Sequence, residues 1–499
     1  MGIYSFSPFG YEGSLVQVEV DLRRGIPSVD IVGLADSSVK ESRDRVRTAI
    51  KNATLEFPSE RVLISLSPAD LKKDSGFDLP IACGIIAAQY EMNINENVLV
   101  IGELHLSGNT RDTQGIRAGL ATAFSAGIKY AIIPKVNYDI QIPEGMKVKQ
   151  VKTLLEAYYV LKDIEQGYFA EFKTGEKRDD EFEIKFRDVE DVNFDEVELP
   201  KGIKFAMTVA AAGRHNMLVW GSPGCGKTMA LHLLPLLTPD LLPEERLSVE
   251  RIWSIAGLHL KHYARPFRIP HQTASIEGIC GGGTNCRPGE ISLAHNGILF
   301  LDEAAEFRSS VLQMLRVPIE NKNITLSRAG RCTTYPANFQ LVMATNPCPC
   351  GNYGSHNKIC LCSAKSIDQY WHKFSAPLLD RMTIRFDCNE VVTDFTDYSL
   401  EEAREHIKLA WERQYKRQGK LNSDLSPNEI AEYVFISSDA QKYLDSQITR
   451  YGLSSRAVSD IVKLAQTLCD MHFSGTNGIQ IEEMKMACEL RKPVTPDRM

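Results

Sequence analysis

Long apolar runs are missing from this sequence. No window approaches the eighteen or more consecutive apolar residues of a membrane-spanning helix. The first residues have neither the basic start nor the apolar stretch of a secretory signal. We therefore expect a cytoplasmic protein without a membrane partner.

An excess of positive charge is missing as well. The 499 residues include 57 Lys and Arg against 64 Asp and Glu, which gives a net charge of −7. This balance excludes a strongly basic DNA-coating protein, so any nucleic-acid binding would depend on local basic loops. The 12 cysteines of a cytoplasmic chain are expected to be thiols or metal ligands rather than disulfides.

The pattern of apolar segments predicts a multidomain α/β protein of three regions joined by one linker. The predicted boundaries are 1–168 for a mixed α/β domain, 169–185 for a charged linker, 186–390 for a parallel-sheet domain and 391–499 for a helical domain. Continuous apolar strands that alternate with helices are typical of a parallel sheet covered on both faces.

Individual elements are predicted from the same pattern. The expected strands are 16–20, 62–66, 98–101, 217–220, 298–301 and 340–345. The expected helices are 37–52, 116–126, 229–237 and 457–470. In the last helix, Val458, Ile461, Val462, Ala465 and Leu468 share one face at helical spacing.

A complete phosphate-binding motif lies between a predicted strand and a predicted helix. The motif consists of Gly221, Ser222, Pro223, Gly224, Cys225, Gly226, Lys227 and Thr228. Glycines in such a loop let backbone N–H groups turn towards phosphates, while the lysine binds the β- and γ-phosphates and the threonine hydroxyl binds Mg²⁺. The sequence therefore predicts an ATP site in which Cys225 is a plain filler, with an oxidation-sensitive thiol as the alternative.

Two carboxylates follow the apolar strand 298–301. Asp302 is expected to hold Mg²⁺, and Glu303 to polarise the attacking water. A solvated acidic turn would be the alternative for this pair, but the upstream phosphate motif favours the catalytic interpretation.

Three further side chains are candidates for the same reaction. Asn346 ends the strand 340–345 and could orient the lytic water. Arg381 and Arg456 are cations that could stabilise the charge of the transferring phosphoryl group, Arg381 from a neighbouring subunit and Arg456 from the helical lid. Solvated surface arginines are the alternative for both.

Four cysteines are paired as Cys348/Cys350 and Cys360/Cys362. Four thiolates suit a tetrahedral zinc site, and His356 inside the loop could replace one of them. Four reduced cysteines without a metal are the alternative, because Cys-x-Cys spacing is less usual than Cys-x-x-Cys.

Several long segments carry a resemblance to a known family. They are residues 29–50, 68–82, 221–228, 287–307, 335–351, 376–382 and 453–466. Together they resemble the magnesium-chelatase-like AAA+ ATPases, and within these the ComM/YifB group. This resemblance implies an N-terminal Lon-protease-like domain of the ribosomal protein S5 domain 2 type, a P-loop AAA+ core and a helical lid.

The resemblance also implies a function. It implies a homo-hexameric ring that binds single-stranded or branched DNA. Acting as a helicase, this ring would drive branch migration of incoming DNA during natural transformation. Asn346 resembles sensor 1, Arg381 the trans arginine finger and Arg456 sensor 2. The segments 276–287 and 324–338 resemble two family insertions that a ring would aim at its pore.

Arginines in these two segments are the candidate DNA contacts. Arg287, Arg328 and Arg331 could each bind a phosphate of a DNA strand. Intramolecular ion pairs are the alternative for all three.

The Lon-like resemblance does not extend to a protease dyad. Aligned on Lys73 and Asp74, the nucleophilic serine position is Phe77, and the segment 115–119 has no lysine. Ser75 is left without a partner base. We therefore expect a structural or partner-binding domain. Two other functions stay open, a chelatase-like remodeller of a partner protein and, disfavoured by the missing dyad, a Lon-related protease.

Overall fold

The structure is a computed structural model of the whole chain. It describes residues 2–32, 37–68, 75–138, 140, 142–169, 172–175, 183–187, 194–260, 264–283, 286–328, 331–355, 358–390, 395–471 and 478–492. Lys73, Asp74 and His356 lie outside these residues, as do the side chains of Ser75, Arg328 and Arg331.

The N-terminal region is built around a mixed eight-stranded sheet. Its elements are β1 (Gly2–Ser7), β2 (Ser14–Arg23), β3 (Val29–Val32), α1 (Ser37–Asn52), β4 (Arg61–Ser67), α2 (Asp78–Gln89), β5 (Asn97–Val100), β6 (Glu103–Leu104), β7 (Thr110–Arg111), α3 (Ile116–Ser125), β8 (Tyr130–Pro134), β9 (Lys147–Val151), α4 (Leu154–Gln166) and β10 (Lys173–Thr174). The strand order is β10-β9-β8-β5-β1-β2-β4-β3, with β6 and β7 forming a separate hairpin.

The core of this region forms on both faces of the sheet. Helix α2 is apolar on all sides and is almost entirely buried, as expected for a helix enclosed between a sheet and other helices. The strands predicted over 16–20, 62–66 and 98–101 and the helices over 37–52 and 116–126 are confirmed within one to three residues at their ends. Two residues of the charged segment predicted as a linker form β10 at the edge of the sheet.

The central region contains a five-stranded parallel sheet. Its elements are α5 (Ile203–Gly213), β11 (Met217–Trp220), α6 (Lys227–His232), α7 (Leu234–Leu237), α8 (Pro243–Ala256), β12 (Phe267–Arg268), α9 (Ile276–Cys280), β13 (Gly281–Gly282), β14 (Arg287–Pro288), α10 (Glu290–Leu293), β15 (Ile298–Leu301), α11 (Ser309–Met314), α12 (Arg316–Asn321), β16 (Asn323–Arg328), β17 (Arg331–Pro336), β18 (Gln340–Thr345), α13 (Ala364–His372), α14 (Ala376–Leu379) and β19 (Ile384–Asp387).

This sheet places the candidate site at one edge. The strand order is β12-β15-β18-β11-β19, and every pair is parallel. Strands β15 and β18 are buried along their whole length because helices cover both faces. Since the carboxyl ends of parallel strands meet at one edge, the residues after β11, β15 and β18 are brought together there.

The C-terminal region is helical. It contains α15 (Leu400–Gln418), α16 (Pro427–Tyr433), α17 (Ser438–Tyr451), α18 (Ser455–Met471) and α19 (Ile481–Leu490). Helix α15 packs on α5, where Trp411 is buried and donates to the carbonyl of Ala211 at 3.1 Å. The predicted apolar face of 457–470 is confirmed for Ile461, Val462, Ala465 and Leu468, which are buried, whereas Val458 is only partly buried. A parallel sheet followed by a helical region fits the predicted AAA+ type of fold.

The N-terminal region contacts the central region through α3 and α8. Arg251 of α8 donates to the carbonyls of Tyr11 and Glu12 and to Thr122 Oγ1 at 2.9–3.2 Å. One apolar core runs across the contact and includes Phe6 and Tyr335. In the ranges that the structure describes, no helix combines the length and the apolar composition needed to span a bilayer.

Candidate active site

The loop 221–228 connects β11 to α6 and encloses the ammonium of Lys227. Gly224 and Gly226 have φ of 83° and 89°, a conformation that glycine adopts without strain. Lys227 Nζ donates to the carbonyls of Gly221 at 2.7 Å and Ser222 at 3.0 Å. Bound phosphates would replace these two carbonyl contacts, because an ammonium prefers an anion to a neutral oxygen.

The two carboxylates after β15 reach this loop. Asp302 Oδ1 accepts a hydrogen bond from Thr228 Oγ1 at 3.1 Å and another from the backbone N–H of Glu303 at 2.9 Å. The hydroxyl and the carboxylate are oxygen donors of the kind that Mg²⁺ prefers. Glu303 has a left-handed backbone conformation (φ 47°), which residues other than glycine seldom adopt.

Asn346 completes the group that the sheet edge assembles. Its Oδ1 lies 3.3 Å from Lys227 Nζ, although 119 positions separate the two residues. The structure therefore brings Lys227, Thr228, Asp302 and Asn346 together, as the motif spacing predicted.

Two residues of this neighbourhood were missed by sequence reasoning. Gln272 Nε2 donates a short hydrogen bond to Glu303 Oε2. Asn389 Oδ1 accepts from the backbone N–H and the hydroxyl of Ser222 at 3.1 and 3.0 Å. Gln272 follows the two-residue strand β12 and Asn389 follows β19, so neither belongs to a motif that the sequence makes visible.

Arg381 and Arg456 both contact the carboxylate of Glu320 rather than the site around Lys227. Glu320 of α12 accepts from Arg381 Nη2 at 2.6 Å and from Arg456 Nη1 at 2.9 Å. Within the described ranges, no hydrogen bond or ion pair joins either arginine to 221–228, Asp302 or Glu303. The roles predicted for the two arginines stay predictions.

The cysteine cluster lies directly after Asn346. The four sulfur atoms lie within 4.8 Å of one another, and three of the pairs are 3.4, 3.6 and 3.7 Å apart. Four sulfurs at about 2.3 Å from one zinc ion would be about 3.8 Å apart, so the spacing fits a tetrahedral thiolate site. The backbone N–H of Tyr353 donates to Cys348 Sγ, a contact of the kind that orients a metal ligand.

The cluster packs on the phosphate loop. A Cβ atom on Gly351, whose φ is 79°, would lie 2.5 Å from Pro223. Trp371 of α13 donates to the carbonyl of Pro347 at 3.0 Å and holds the loop from the other side. The cysteine loop therefore supports both Asn346 and the phosphate loop.

Cys225 has a second cysteine beside it. A hydrogen bond with Cys388 and the nearby ammonium of Lys227 lower the pKa of the Cys225 thiol to about 6. The same contact raises the pKa of Cys388 well above its usual range. The lowered pKa favours the thiolate of Cys225, which supports the oxidation-sensitive alternative over the plain filler role expected from the sequence.

The two segments predicted to face a pore lie against each other. Strands β16 and β17 form a hairpin in which Arg328 pairs with Arg331. Strands β13 and β14 form the second hairpin, which ends in the exposed Arg287. Tyr335 Oη donates to the carbonyl of Cys286 at 2.9 Å and joins the two.

The two positions that correspond to the Lon serine–lysine dyad carry neither a serine nor a lysine. Phe77 is fully buried in the N-terminal core. In the segment 115–119, Arg117 lies 3.8 Å from Glu250 of α8 and so contributes to the contact between regions. The described residues provide no lysine there.

Three family models match this chain. "Subunit ChlI of Mg-chelatase" matches residues 18–137, "Magnesium chelatase, subunit ChlI" matches 193–395, and "Magnesium chelatase, subunit ChlI C-terminal" matches 398–491. The matched segments follow the three regions of the structure.

Whole-length relatives are also found. The chain is 35% identical over 486 residues to "Competence protein ComM" of Haemophilus influenzae, covering 94% of this chain and 93% of that protein. It is 36% identical over 487 residues to YifB of Escherichia coli, with the same coverage. It is 34% identical over 506 residues to an uncharacterized protein of Mycobacterium tuberculosis, covering 98% of each.

Proposed function

Because the chain belongs to the ComM/YifB family of magnesium-chelatase-like proteins, an AAA+ type of ATPase, we propose that it is a ring motor that moves along DNA. In this proposal the ring is a homo-hexamer in the cytoplasm, and its work is helicase-like branch migration of incoming DNA. The name of the Haemophilus influenzae relative, a competence protein, supports a role in natural transformation.

ATP hydrolysis would take place at the sheet edge. Lys227 would bind the β- and γ-phosphates, while Asn346 would orient the lytic water. Glu303 would accept a proton from that water as it attacks the γ-phosphorus, and ADP and phosphate would leave. Thr228 and Asp302 would hold Mg²⁺, which neutralises phosphate charge when bound. The observation that carries this part is the convergence of Lys227, Thr228, Asp302 and Asn346.

A ring is supported by the position of the arginines. Phosphoryl transfer gains about 10³–10⁵-fold from a positioned arginine. Arg381 and Arg456 are held on Glu320, and the described residues show no hydrogen bond or ion pair between them and their own phosphate loop, so we assign both to the ATP of an adjacent copy. We propose that adjacent subunits complete each other's sites in this way.

DNA binding is supported by the joined hairpins β13–β14 and β16–β17. The hairpins join where Tyr335 bonds the carbonyl of Cys286, the residue before Arg287, and the backbones of Arg328 and Arg331 pair at the other end of β16–β17. Arg287 is exposed, and the described residues give it no ion pair, so it is available to a phosphate. This arrangement provides local positive charge in a chain whose net charge is −7.

The ATPase rate with and without single-stranded and branched DNA tests the proposal. We expect a several-fold stimulation that is lost at high salt, because phosphate contacts release counterions. Glu303→Gln is the inactive control. Arg287→Ala with Arg328→Ala and Arg331→Ala should remove the stimulation and keep the basal rate. The matched control is Lys442→Ala, an exposed lysine of α17.

A rate that depends on Glu303 but does not change with any DNA would contradict the motor proposal. It would favour the second candidate, a remodeller of a partner protein. The three magnesium chelatase family models support that candidate.

A structural zinc ion is proposed for the cysteine cluster, on the strength of the sulfur spacing. Zinc would fix the loop that supports Asn346 and the phosphate loop. Metal quantification should give about one zinc per wild-type chain and almost none for Cys348→Ser/Cys350→Ser. A zinc content near zero in the wild type would contradict the proposal.

For the N-terminal region we propose a Lon-like fold that acts as a scaffold without protease activity. Its contacts with α8 and β17 support this role, as does the absence of a lysine at 115–119. A casein degradation assay should show no activity that depends on Ser75.

A further inference from the structure

Glu320 connects the central region to the helical C-terminal region. Its Oε2 lies 2.6 Å from Arg381 Nη2, and Arg381 follows α14 of the central region. Its Oε1 lies 2.9 Å from Arg456 Nη1, and Arg456 belongs to α18 of the C-terminal region. One carboxylate therefore holds two guanidinium groups from two parts of the chain.

The charges of this group do not cancel. One carboxylate facing two guanidinium groups leaves one net positive charge. Hydrogen bonds from Arg381 and Arg456 lower the pKa of Glu320, so the carboxylate stays ionised at neutral pH. Arg381 is 9% exposed and also donates to the carbonyl of Pro377 at 2.6 Å, which fixes its orientation. Glu320 and Arg456 remain accessible at the surface.

Holding the arginines in place matters for catalysis. A free arginine side chain has several rotatable bonds and loses conformational freedom when it is fixed. A side chain that is fixed before the reaction does not lose this freedom at the transition state. Glu320 touches no residue of its own phosphate loop in the described ranges, so its effect must pass through the two arginines.

We propose that Glu320 is a positioning residue that holds Arg381 and Arg456 as one cationic pair for the γ-phosphate of a neighbouring copy's ATP. The inference rests on the proposed ring ATPase. Because the pair needs a residue from each region, it forms only when the C-terminal region is seated on the central region. The docking of the C-terminal region on the central region in one subunit would thereby control ATP hydrolysis in the adjacent subunit.

The first test is Glu320→Gln in the full chain. The amide keeps the shape but is uncharged, and one of the two arginines would face its NH2 donor instead of an oxygen. We expect kcat to fall about tenfold, a part of the about 10³–10⁵-fold that such an arginine supplies. The KM for ATP should change less than about twofold. Glu482→Gln, which removes an exposed carboxylate paired with Lys485, is the matched control and should leave both constants unchanged.

An experiment that mixes two variant subunits distinguishes a positioning role of Glu320 from a purely structural one. Lys227→Ala subunits bind no ATP but carry an intact Glu320, Arg381 and Arg456. Mixed with Glu320→Gln subunits, they should restore hydrolysis at the sites of the latter. A defect within the Glu320→Gln subunit's own site would not be repaired.

The outcomes separate the inference from the function it rests on. Arg381→Ala subunits, mixed with Lys227→Ala subunits, test the ring alone, and a lack of recovery there would overturn the shared site. If the mixture of Arg381→Ala and Lys227→Ala subunits recovers activity, but Glu320→Gln alone hydrolyses ATP at the wild-type rate or faster, only the role of Glu320 is overturned. A Glu320→Gln defect that mixing does not repair would overturn that role as well.

Discussion

The backbone N–H of Tyr11 donates a hydrogen bond to Thr333 Oγ1 at 2.9 Å, across 322 positions of sequence. This contact fastens the N-terminal region to β17, the second strand of the hairpin proposed to meet DNA. The rings of Tyr11 and Tyr335 meet edge to face with centroids 6.0 Å apart. The N-terminal region therefore sets the position of the hairpin.

Gly10 is the residue that permits this approach, and Gly10→Ala should weaken it. Gly10 has φ of 61°, and a Cβ atom there would lie 2.0 Å from Thr333 Oγ1. Gly127→Ala is the control, because Gly127 has φ of 84° but nothing within 4 Å of its added Cβ. We expect Gly10→Ala to destabilise the protein by about 2 kcal/mol more than the control, the usual cost of overpacking. Thermal unfolding measures the difference, and equal melting temperatures would contradict it.

Gln272 should restrain Glu303 in the absence of nucleotide. Its hydrogen bond holds the carboxylate of Glu303 in one orientation. We expect Gln272→Ala to raise the basal ATPase rate about fivefold, which corresponds to about 1 kcal/mol for one hydrogen bond. The combined variant Gln272→Ala/Glu303→Gln must be inactive. A lower rate for Gln272→Ala alone would show that Gln272 instead assists catalysis.

Cys225 should react with iodoacetamide at unusually low pH. Its pKa of about 6 means that the thiolate predominates above pH 6 and is lost as the pH falls below it. Mass spectrometry should therefore show half-maximal labelling of Cys225 near pH 6, with ATP protecting it. Cys225→Ser identifies the labelled peptide. Labelling that is unaffected by ATP would place the thiol outside the nucleotide site.

Stability should decrease in mild acid because two histidines are buried in the neutral form. Burial lowers the pKa of His215 to about 3 and that of His295 to about 4. Both values lie below the unfolded value of about 6.5, so the unfolded chain binds more protons below pH 6.5 and stability is lost as the pH falls. At pH 5 each histidine should cost about 2 kcal/mol relative to pH 7.

His295→Gln should reduce this acid sensitivity, because the amide does not titrate. The measurement is the shift in melting temperature between pH 7 and pH 5. His372→Gln, a change at an exposed histidine of α13, should leave the shift as it is in the wild type. An unchanged shift in His295→Gln would show that other groups cause the acid sensitivity.

Local patterns in the sequence determined the elements and the centre of the site. A strand, a glycine-rich loop and a helix follow one another in 217–232, so the position of Lys227 and Thr228 needs only nearby residues. The apolar strand 298–301 delivers Asp302 and Glu303 for the same reason. Parallel strands end at the same edge of a sheet, so the strand pattern alone predicts that these residues and Asn346 come together.

Only the tertiary structure decided the contacts between residues far apart in sequence. Gln272 meets Glu303, Glu320 gathers Arg381 and Arg456, and Cys388 meets Cys225. Each pair joins side chains from separate elements, and no periodicity or spacing relates them. Their meeting depends on how helices pack on the sheet and how the C-terminal region seats on the core. The sequence by itself determined where the nucleotide chemistry lies, and packing determined which residues hold it in place.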